Sequence, residues 1–344
     1  MRFPRPWRLL AAPAALLALA SGALASALGG PAELPVPARG LNLLVVGTDS
    51  RAGVTAAEKK RFLLGGADCD CADAIMLVHF SAGYDRISVV SLPRDSLAEL
   101  PGPHTDLRTG AVHDAHLAKL NAAHAEGGSE LTVETVEALT GLTVHRFLAI
   151  DFRRFMDTVD RVDGGVPICT EKPLKDPSTG LDLAPGTRRV GGGEGLQYVR
   201  SRKADGEMDF GRIRKQQRFV VNTLARIRSG GILADPAELR ALAATLRGTA
   251  SAARGLSVAE LLRLADRTRL VGPSRTEFAT VPVRGFNPPV AGAGSTVGWD
   301  GEGAAKVFAR LRADRPLPPA DSVAPGSLSV ARYAPARGSS LICP

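Results

Sequence analysis

Hydrophobic and polar positions along the chain alternate in two distinct rhythms. Leu41 to Gly47 is a continuous apolar run ended by glycine, the pattern of a strand buried on both faces. It delivers Thr48-Asp49-Ser50-Arg51 at its C-terminal end. A polar loop with Cys69-Asp70-Cys71 and Asp73 leads to a second apolar run, Ile75 to Phe80. Ser81 to Asp85 reads as a turn, and Ile87 to Leu92 as a third strand ending in Pro93-Arg94-Asp95. Strands two and three are spaced as a hairpin, which brings the start of one and the end of the other to a common sheet edge. Asp73 and Arg94 then meet there. If strand one runs parallel to strand three, Asp49 joins them, at the end of a sheet where α/β proteins hold their chemistry.

A period near 3.6 takes over downstream. Ser129 to Leu139 predicts a helix closed by Gly141, Val144 to Ile150 a strand, Phe152 to Val159 a helix, and Val166 to Cys169 a further strand. From Asp209, the residues Phe210, Ile213, Val220, Val221, Leu224 and Ile227 form one apolar stripe. Asp209, Arg212 and Gln216 share a neighbouring face. Arg200 and Arg202 precede this helix, alternating as on an extended segment. Planar guanidinium forks aimed at one place suit a phosphate or pyrophosphate, against the plainer alternative of a solvated basic helix. Asp235-Pro236 starts another helix, Leu256 to Ala265 predicts one more, Glu277 to Val283 a late strand and Ala304 to Arg312 a last helix. From Pro316 the Pro-, Ala- and Ser-rich composition predicts a loose tail over 316–344.

Composition changes this picture at three points. The net charge of +8 makes an anionic partner plausible, while aromatic content of 5% leaves no platform for stacking single-stranded nucleic acid, which is excluded as a partner. Arg2, Arg5 and Arg8 precede an uncharged apolar run, 9–28, long enough for a bilayer core. That order predicts a basic cytoplasmic segment 1–8, a membrane signal-anchor, a linker 29–40, and a main domain, 41–315, outside the cell. The domain is secreted if Ala23-Leu24-Ala25 is cleaved. Export places Cys69, Cys71, Cys169 and Cys343 where disulfides persist. A Cys69–Cys71 bond is the least expected because of its small ring, so the pairing expected joins one of Cys69 and Cys71 to each of Cys169 and Cys343.

Asp49 and Asp73 together suit one Mg²⁺, a hard cation held by one or two carboxylates plus substrate phosphates. Their plain alternative is turn capping. Arg94 and Lys119 suit a phosphate clamp, or else ion pairs with Asp95 or Glu126. No Walker-type loop, dinucleotide glycine turn or Gly-x-Ser-x-Gly elbow is present. No His-Glu-x-x-His pair occurs; His113 and His116 in one stretch suit a metal, against the plainer alternative of solvent-exposed histidines, which is the one expected.

Taken in order, GTDSR, the acidic residue before IMLVHF, ISVVSLPRD, KLNAAHAEGG, LTVETVEALTGL, VDGGV, YVRSR and DFGRIRKQQ resemble the LytR-CpsA-Psr family, over roughly residues 40 to 230. The resemblance implies an α/β fold, a three-layer α/β/α sandwich around a central mixed sheet, following an N-terminal membrane segment. It implies a membrane-anchored phosphotransferase that moves a teichoic acid or capsule glycopolymer from a polyprenyl-pyrophosphate carrier to peptidoglycan. Membrane lipid, the carrier-linked polymer and peptidoglycan are the implied partners. Asp49 and Asp73 correspond to the family's Mg²⁺-engaging acids. Arg94, Lys119, Arg200, Arg202 and Gln216 correspond to pyrophosphate contacts, with Asp209 and Arg212 a further pair and Asp49, Asp73 and Arg94 the catalytic set. An apolar tunnel for the lipid would draw on Leu139, Leu142, Val144, Phe147, Phe155, Phe219, Leu224 and Ile227. Two positions depart from the pattern: Cys71 stands where arginine is usual, and Ala74 where threonine is common. The rival readings are a non-catalytic lipid-pyrophosphate binder and a polyprenyl-pyrophosphate phosphatase.

Overall fold

The computed structural model describes residues 37–66, 69–246, 254–317 and 335–344. The expected basic segment, membrane run and most of the linker therefore lie outside the described residues. Among those described, no helix is long and apolar enough to cross a membrane.

The first apolar runs form strands β1 (Leu41–Thr48), β2 (Ala72–Phe80) and β3 (Ile87–Leu92). β2 pairs antiparallel with both neighbours, so β1 and β3 run in the same sense on either side of it. Arg146–Ile150 adds parallel to β1, and Thr276–Thr280 adds parallel to β3. With the short strand Ala336–Arg337 antiparallel beyond Thr276–Thr280, the result is a mixed six-stranded sheet. All six positions of β3 are buried, which explains its unbroken apolar and small-residue composition.

Alternate residues serve opposite faces. Leu44, Val46, Ile75, Leu77 and Val90 pack with Val133 and Val136 of helix Ala122–Thr140 and with Phe308 of helix Gly301–Arg312. Leu43, Met76, Val89 and Phe278 pack on the other face with Val221 of helix Met208–Ser229 and Leu264 of helix Val258–Thr268. In chain order the helices are α1 (Ala56–Arg61), α2 (Ala122–Thr140), α3 (Phe152–Asp160), α4 (Gly192–Arg200), α5 (Met208–Ser229), α6 (Pro236–Thr245), α7 (Val258–Thr268) and α8 (Gly301–Arg312). Helices thus cover both faces. Gly141 closes α2 at φ 62°, as its position predicts. Gly127 and Gly128 break the same helix near its start.

Four expectations are corrected. Arg200 is not on an extended segment: it ends α4, and only Ser201 after it is extended. That helix opens on glycines because the backbone approaches its neighbours closely. A Cβ on Gly192 would lie 2.4 Å from the Met156 carbonyl oxygen, and one on Gly193 2.1 Å from the Phe62 ring. The predicted strand Glu277 to Val283 divides into Thr276–Thr280 and Val283–Phe286, the second pairing with Val297–Trp299 instead of the central sheet. The tail is not loose throughout. Ala336–Arg337 pairs with Thr276–Thr280 as an edge strand, and the Cys343 N–H donates to Asn222 Oδ1 at 2.9 Å.

The disulfides are Cys69–Cys71 and Cys169–Cys343, not the crossed pairs expected. Asp70 between the first two adopts φ 50°, a left-handed turn that lets so short a ring close. Cys343 reaches Cys169 because the tail docks beside α5, leaving Cys69 and Cys71 against Asp49 at a different place.

Candidate active site

The sheet's topology assembles one edge from four pieces of chain. Backbone hydrogen bonds knit them: the Asp49 N–H donates to Cys71 O, the Ala72 N–H to Asn121 O, and the Asn121 N–H to Arg94 O. The register between β1 and β2 slips here. Gly47 faces Ala74 and Thr48 faces Ala72, so Asp73 is the extra residue of a β-bulge. Bulges re-aim side chains at sheet ends. Asp73 uses it to meet Arg94, whose Nη1 bonds its Oδ1, with Arg212 Nη1 at 3.8 Å from the same oxygen.

α5 supplies the opposite wall. Asp209 and Arg212, one turn apart, pair at 3.0 Å, and Asp209 also meets Arg202 Nε at 3.1 Å and Arg94 Nε at 3.9 Å. Consecutive glutamines fix this helix on two sides. Gln216 Nε2 donates to Val199 O of α4 at 3.3 Å. Gln217 Nε2 donates to Ser91 Oγ of β3 and to Ala279 O, both at 3.0 Å. Arg200 reaches the edge from the end of α4 and lies over the Phe152 ring, 5.1 Å from its centroid. Arg51 lies 5.5 Å from the same centroid.

The expected residues are thus gathered unequally. Asp73, Arg94, Arg202, Asp209 and Arg212 form one connected ion network. Asp49 sits beside it in its own cradle, where Oδ1 accepts from the Cys71 N–H at 3.0 Å and Oδ2 lies 3.5 Å from Arg51 Nη1. Lys119 takes the ion-pair alternative, with Nζ 3.3 Å from Asp95 Oδ1. Asp95 in turn lies 3.7 Å from Arg94 Nε.

Burial sets the electrostatics. It would raise the Asp73 pKa, but the guanidiniums of Arg212, Arg94 and Arg202 outweigh it and hold the carboxyl below its ordinary value. Burial lowers the Arg200 pKa, and neighbouring Arg51 adds to that. Arg212, only 3% exposed, is lowered by desolvation to about 10 and stays charged at neutral pH. Cations outnumber carboxylates here. The Nε atoms of Arg94 and Arg212 are buried without a hydrogen-bond partner, an arrangement that suits an entering anion. The edge opens on a cavity of about 140 Å³ lined by Asp73, Arg200, Arg212 and Gln216 on one side and by Val45, Met76 and Val220 on the other. Those last three residues also line an apolar cavity of about 320 Å³ between the sheet and α5, α6 and α7.

Of the tunnel residues expected from sequence, Phe155 and Phe219 line the first cavity and Leu224 and Ile227 the second. Leu139, Leu142 and Val144 belong instead to the core on the opposite face of the sheet. Phe147 belongs to that core too, and lines a separate cavity beside Glu130 and Arg254. The sequence reading passed over Asp176. Its Oδ2 accepts the N–H groups of Arg202 at 2.7 Å and Lys203 at 3.0 Å, fixing the turn that carries Arg202. In the sequence it looks like an ordinary Asp-Pro-Ser turn residue, and Arg202 as its partner is visible only in the fold.

The LytR_cpsA_psr family model matches residues 33–312. The chain belongs to the LytR-CpsA-Psr family. This family member is 33% identical over 284 residues to the probable cell wall biosynthesis protein LcpB of Corynebacterium glutamicum, covering 82% of this chain and 63% of that protein. It is 30% identical over 168 residues to a Bacillus subtilis protein, the polyisoprenyl-teichoic acid–peptidoglycan teichoic acid transferase TagV, covering 47% of this chain and 40% of TagV. The chain therefore spans less than two thirds of either relative's length. The crystal structure of B. subtilis TagV shares the fold, with a TM-score of 0.60 and 21% identity over 81% of this chain and 99% of that one.

Proposed function

We propose that this protein transfers a glycopolymer from a polyprenyl-pyrophosphate carrier to peptidoglycan. The observation that carries the reading is the junction of the cationic edge with an apolar channel through Val45, Met76 and Val220. A polyprenyl pyrophosphate has the same two parts, a dianionic head and a long hydrocarbon chain. The transferase relative supports the acceptor and polymer class.

In this reading Arg200, Arg202, Arg94 and Arg212 hold the pyrophosphate through charge-assisted forks. Lys119 adds cationic field from the flank through Asp95. An acceptor hydroxyl attacks the phosphorus next to the polymer sugar. The bond from that phosphorus to the bridging oxygen breaks, polyprenyl phosphate leaves, and a new phosphodiester joins polymer to acceptor. The arginines neutralise charge on the non-bridging and leaving oxygens, in a site that α5 and the sheet keep pre-formed. Asp73 is held ionised by three guanidiniums and orients them, so we assign the hydroxyl proton to Asp49.

The donor set fits Mg²⁺. Both guanidinium contacts to Asp73 fall on Oδ1, leaving Oδ2 for a cation that arrives with the phosphates, and Asp49 lies at the same edge. When bound there, Mg²⁺ would supply charge neutralisation at the phosphoryl oxygens. Cys71, where the family pattern has arginine, brings no side-chain charge; the backbone N–H at that position donates to Asp49. Titration of the protein with a short-chain polyprenyl pyrophosphate, with and without Mg²⁺, tests the site. Saturable binding weakened about tenfold or more in Arg200→Ala and in Arg212→Ala is expected, and binding insensitive to both changes would end the proposal.

A further inference from the structure

A second cluster lies away from the pyrophosphate edge, in the excursion between β3 and α2. His104 and His113 face each other across a short antiparallel ladder, and His116 begins the strand that continues to Lys119. Glu126 enters from the first turns of α2, just before the break at Gly127 and Gly128. Among the described residues, His104, His116 and Glu126 are the group of three whose ligand atoms lie within 4.8 Å of one another.

The tautomers make the cluster unusual. His104 Nδ1 lies 2.8 Å from the Pro101 carbonyl oxygen, and His116 Nδ1 lies 3.0 Å from that of Asp114. A carbonyl only accepts, so each Nδ1 carries a proton, and the Nε2 of each ring is the atom turned to the cluster. Both Nε2 atoms point at Glu126 Oε2, at 3.4 and 3.2 Å. With both Nε2 atoms unprotonated, three acceptors face one another, and a shared cation resolves that conflict as a proton would. Zn–N and Zn–O bonds of about 2.0–2.1 Å at tetrahedral angles set ligand atoms roughly 3.3–3.4 Å apart, close to the two separations seen. The Nδ1–H to carbonyl bonds are the outer contacts that orient metal-binding histidines. Arg108 Nη2, 3.7 Å from Glu126 Oε1, occupies the carboxylate's other oxygen and leaves Oε2 to the cluster.

We propose that His104, His116 and Glu126 bind one Zn²⁺ through two Nε2 atoms and Oε2, with the fourth position open to water. Imidazole nitrogen selects a transition metal over Mg²⁺. The ion would pin the 101–116 excursion to α2, and with it the strand His116–Lys119 that ends beside the pyrophosphate edge. His113 stays outside the ligand set. Its ring lies 5.5 Å from that of His116, and its Nε2 is 3.9 Å from Asp106 Oδ2.

The test uses the untagged exported protein dialysed against Zn²⁺ or Mg²⁺, with bound metal counted by mass spectrometry, and Co²⁺ titrated optically. One retained equivalent of Zn²⁺, none of Mg²⁺ at this site and the intense visible bands of four-coordinate Co²⁺ are expected. His116→Ala, at a partly exposed position, should weaken Zn²⁺ binding at least tenfold with the far-UV spectrum unchanged. His113→Ala should leave it within threefold. Wild-type protein that retains no zinc above a dialysis blank overturns the proposal. So does zinc retained equally by His116→Ala, or six-coordinate pale Co²⁺ spectra.

Discussion

Asp176 should control the grip of Arg202 without touching substrate. Its Oδ2 takes two backbone N–H groups from Arg202 and Lys203, and its Oδ1 takes the N–H and hydroxyl of Ser178. The side chain is fully buried, and its pKa is held at about 2. Burial alone would raise it, so these hydrogen bonds more than offset the desolvation. Asp176→Asn keeps the volume but turns an amide NH₂ toward one donor pair. Losing two charge-assisted bonds of ~1.5–3 kcal/mol each, less relaxation, predicts a loss of about 2–4 kcal/mol. The depressed pKa gives a separate figure of about 2 kcal/mol from linkage. A depressed carboxyl stabilises above its unfolded pKa and loses that stability as pH falls through the folded one. The gap between wild type and Asp176→Asn should therefore be full at pH 7 and close between about pH 4 and 2. Urea unfolding across that range reads it directly. Polyprenyl-pyrophosphate binding at pH 7 should weaken in parallel, because the Arg202 turn loosens. A gap under about 0.5 kcal/mol at pH 7, or one that does not close in acid, would refute this account of the turn.

Arg200→Ala or Arg202→Ala should weaken lipid-pyrophosphate binding by about 1.5–3 kcal/mol in a titration, and lysine at either position should not restore it. Asp73→Asn should leave the melting profile cooperative while removing Mg²⁺-stimulated turnover; chelator-resistant activity would count against a metal. Val220→Trp, filling the neck common to the two cavities, should abolish binding of long-chain carriers yet spare a short geranyl pyrophosphate. Replacing Cys169 and Cys343 by serine removes a link across 174 residues, nominally about 5 kcal/mol in the chain-entropy model, whereas the two-residue Cys69–Cys71 link should cost far less in the same urea assay.

The sheet and its candidate edge were legible because two apolar runs end just before charged residues that the fold then brings to one place. LNLLVVG stops at Asp49, and ISVVSL stops at Arg94. Two same-sense strands flanking an antiparallel one bring those ends together without further information. What was hidden depended on contacts distant in sequence. Propensity penalises Gly192 and Gly193 in a helix, and only the Met156 and Phe62 surfaces beneath them explain one there. The Cys69–Cys71 bond was discounted on ring size, whereas the left-handed Asp70 accommodates it. The tail's composition promised no structure, yet one short strand pair and a disulfide hold its end. His113 and His116 read as solvent-exposed in the sequence, and only the fold, through a hairpin and a helix start, brings His104, His116 and Glu126 together.

The central claim meets its most direct test in a transfer assay. Purified protein would be given a radiolabelled glycopolymer on its polyprenyl-pyrophosphate carrier, with peptidoglycan as acceptor. The account predicts label linked to peptidoglycan through a phosphodiester, matched by released polyprenyl phosphate and lost in Arg212→Ala. Label that stays on the carrier, or appears only as free polymer phosphate, would contradict it.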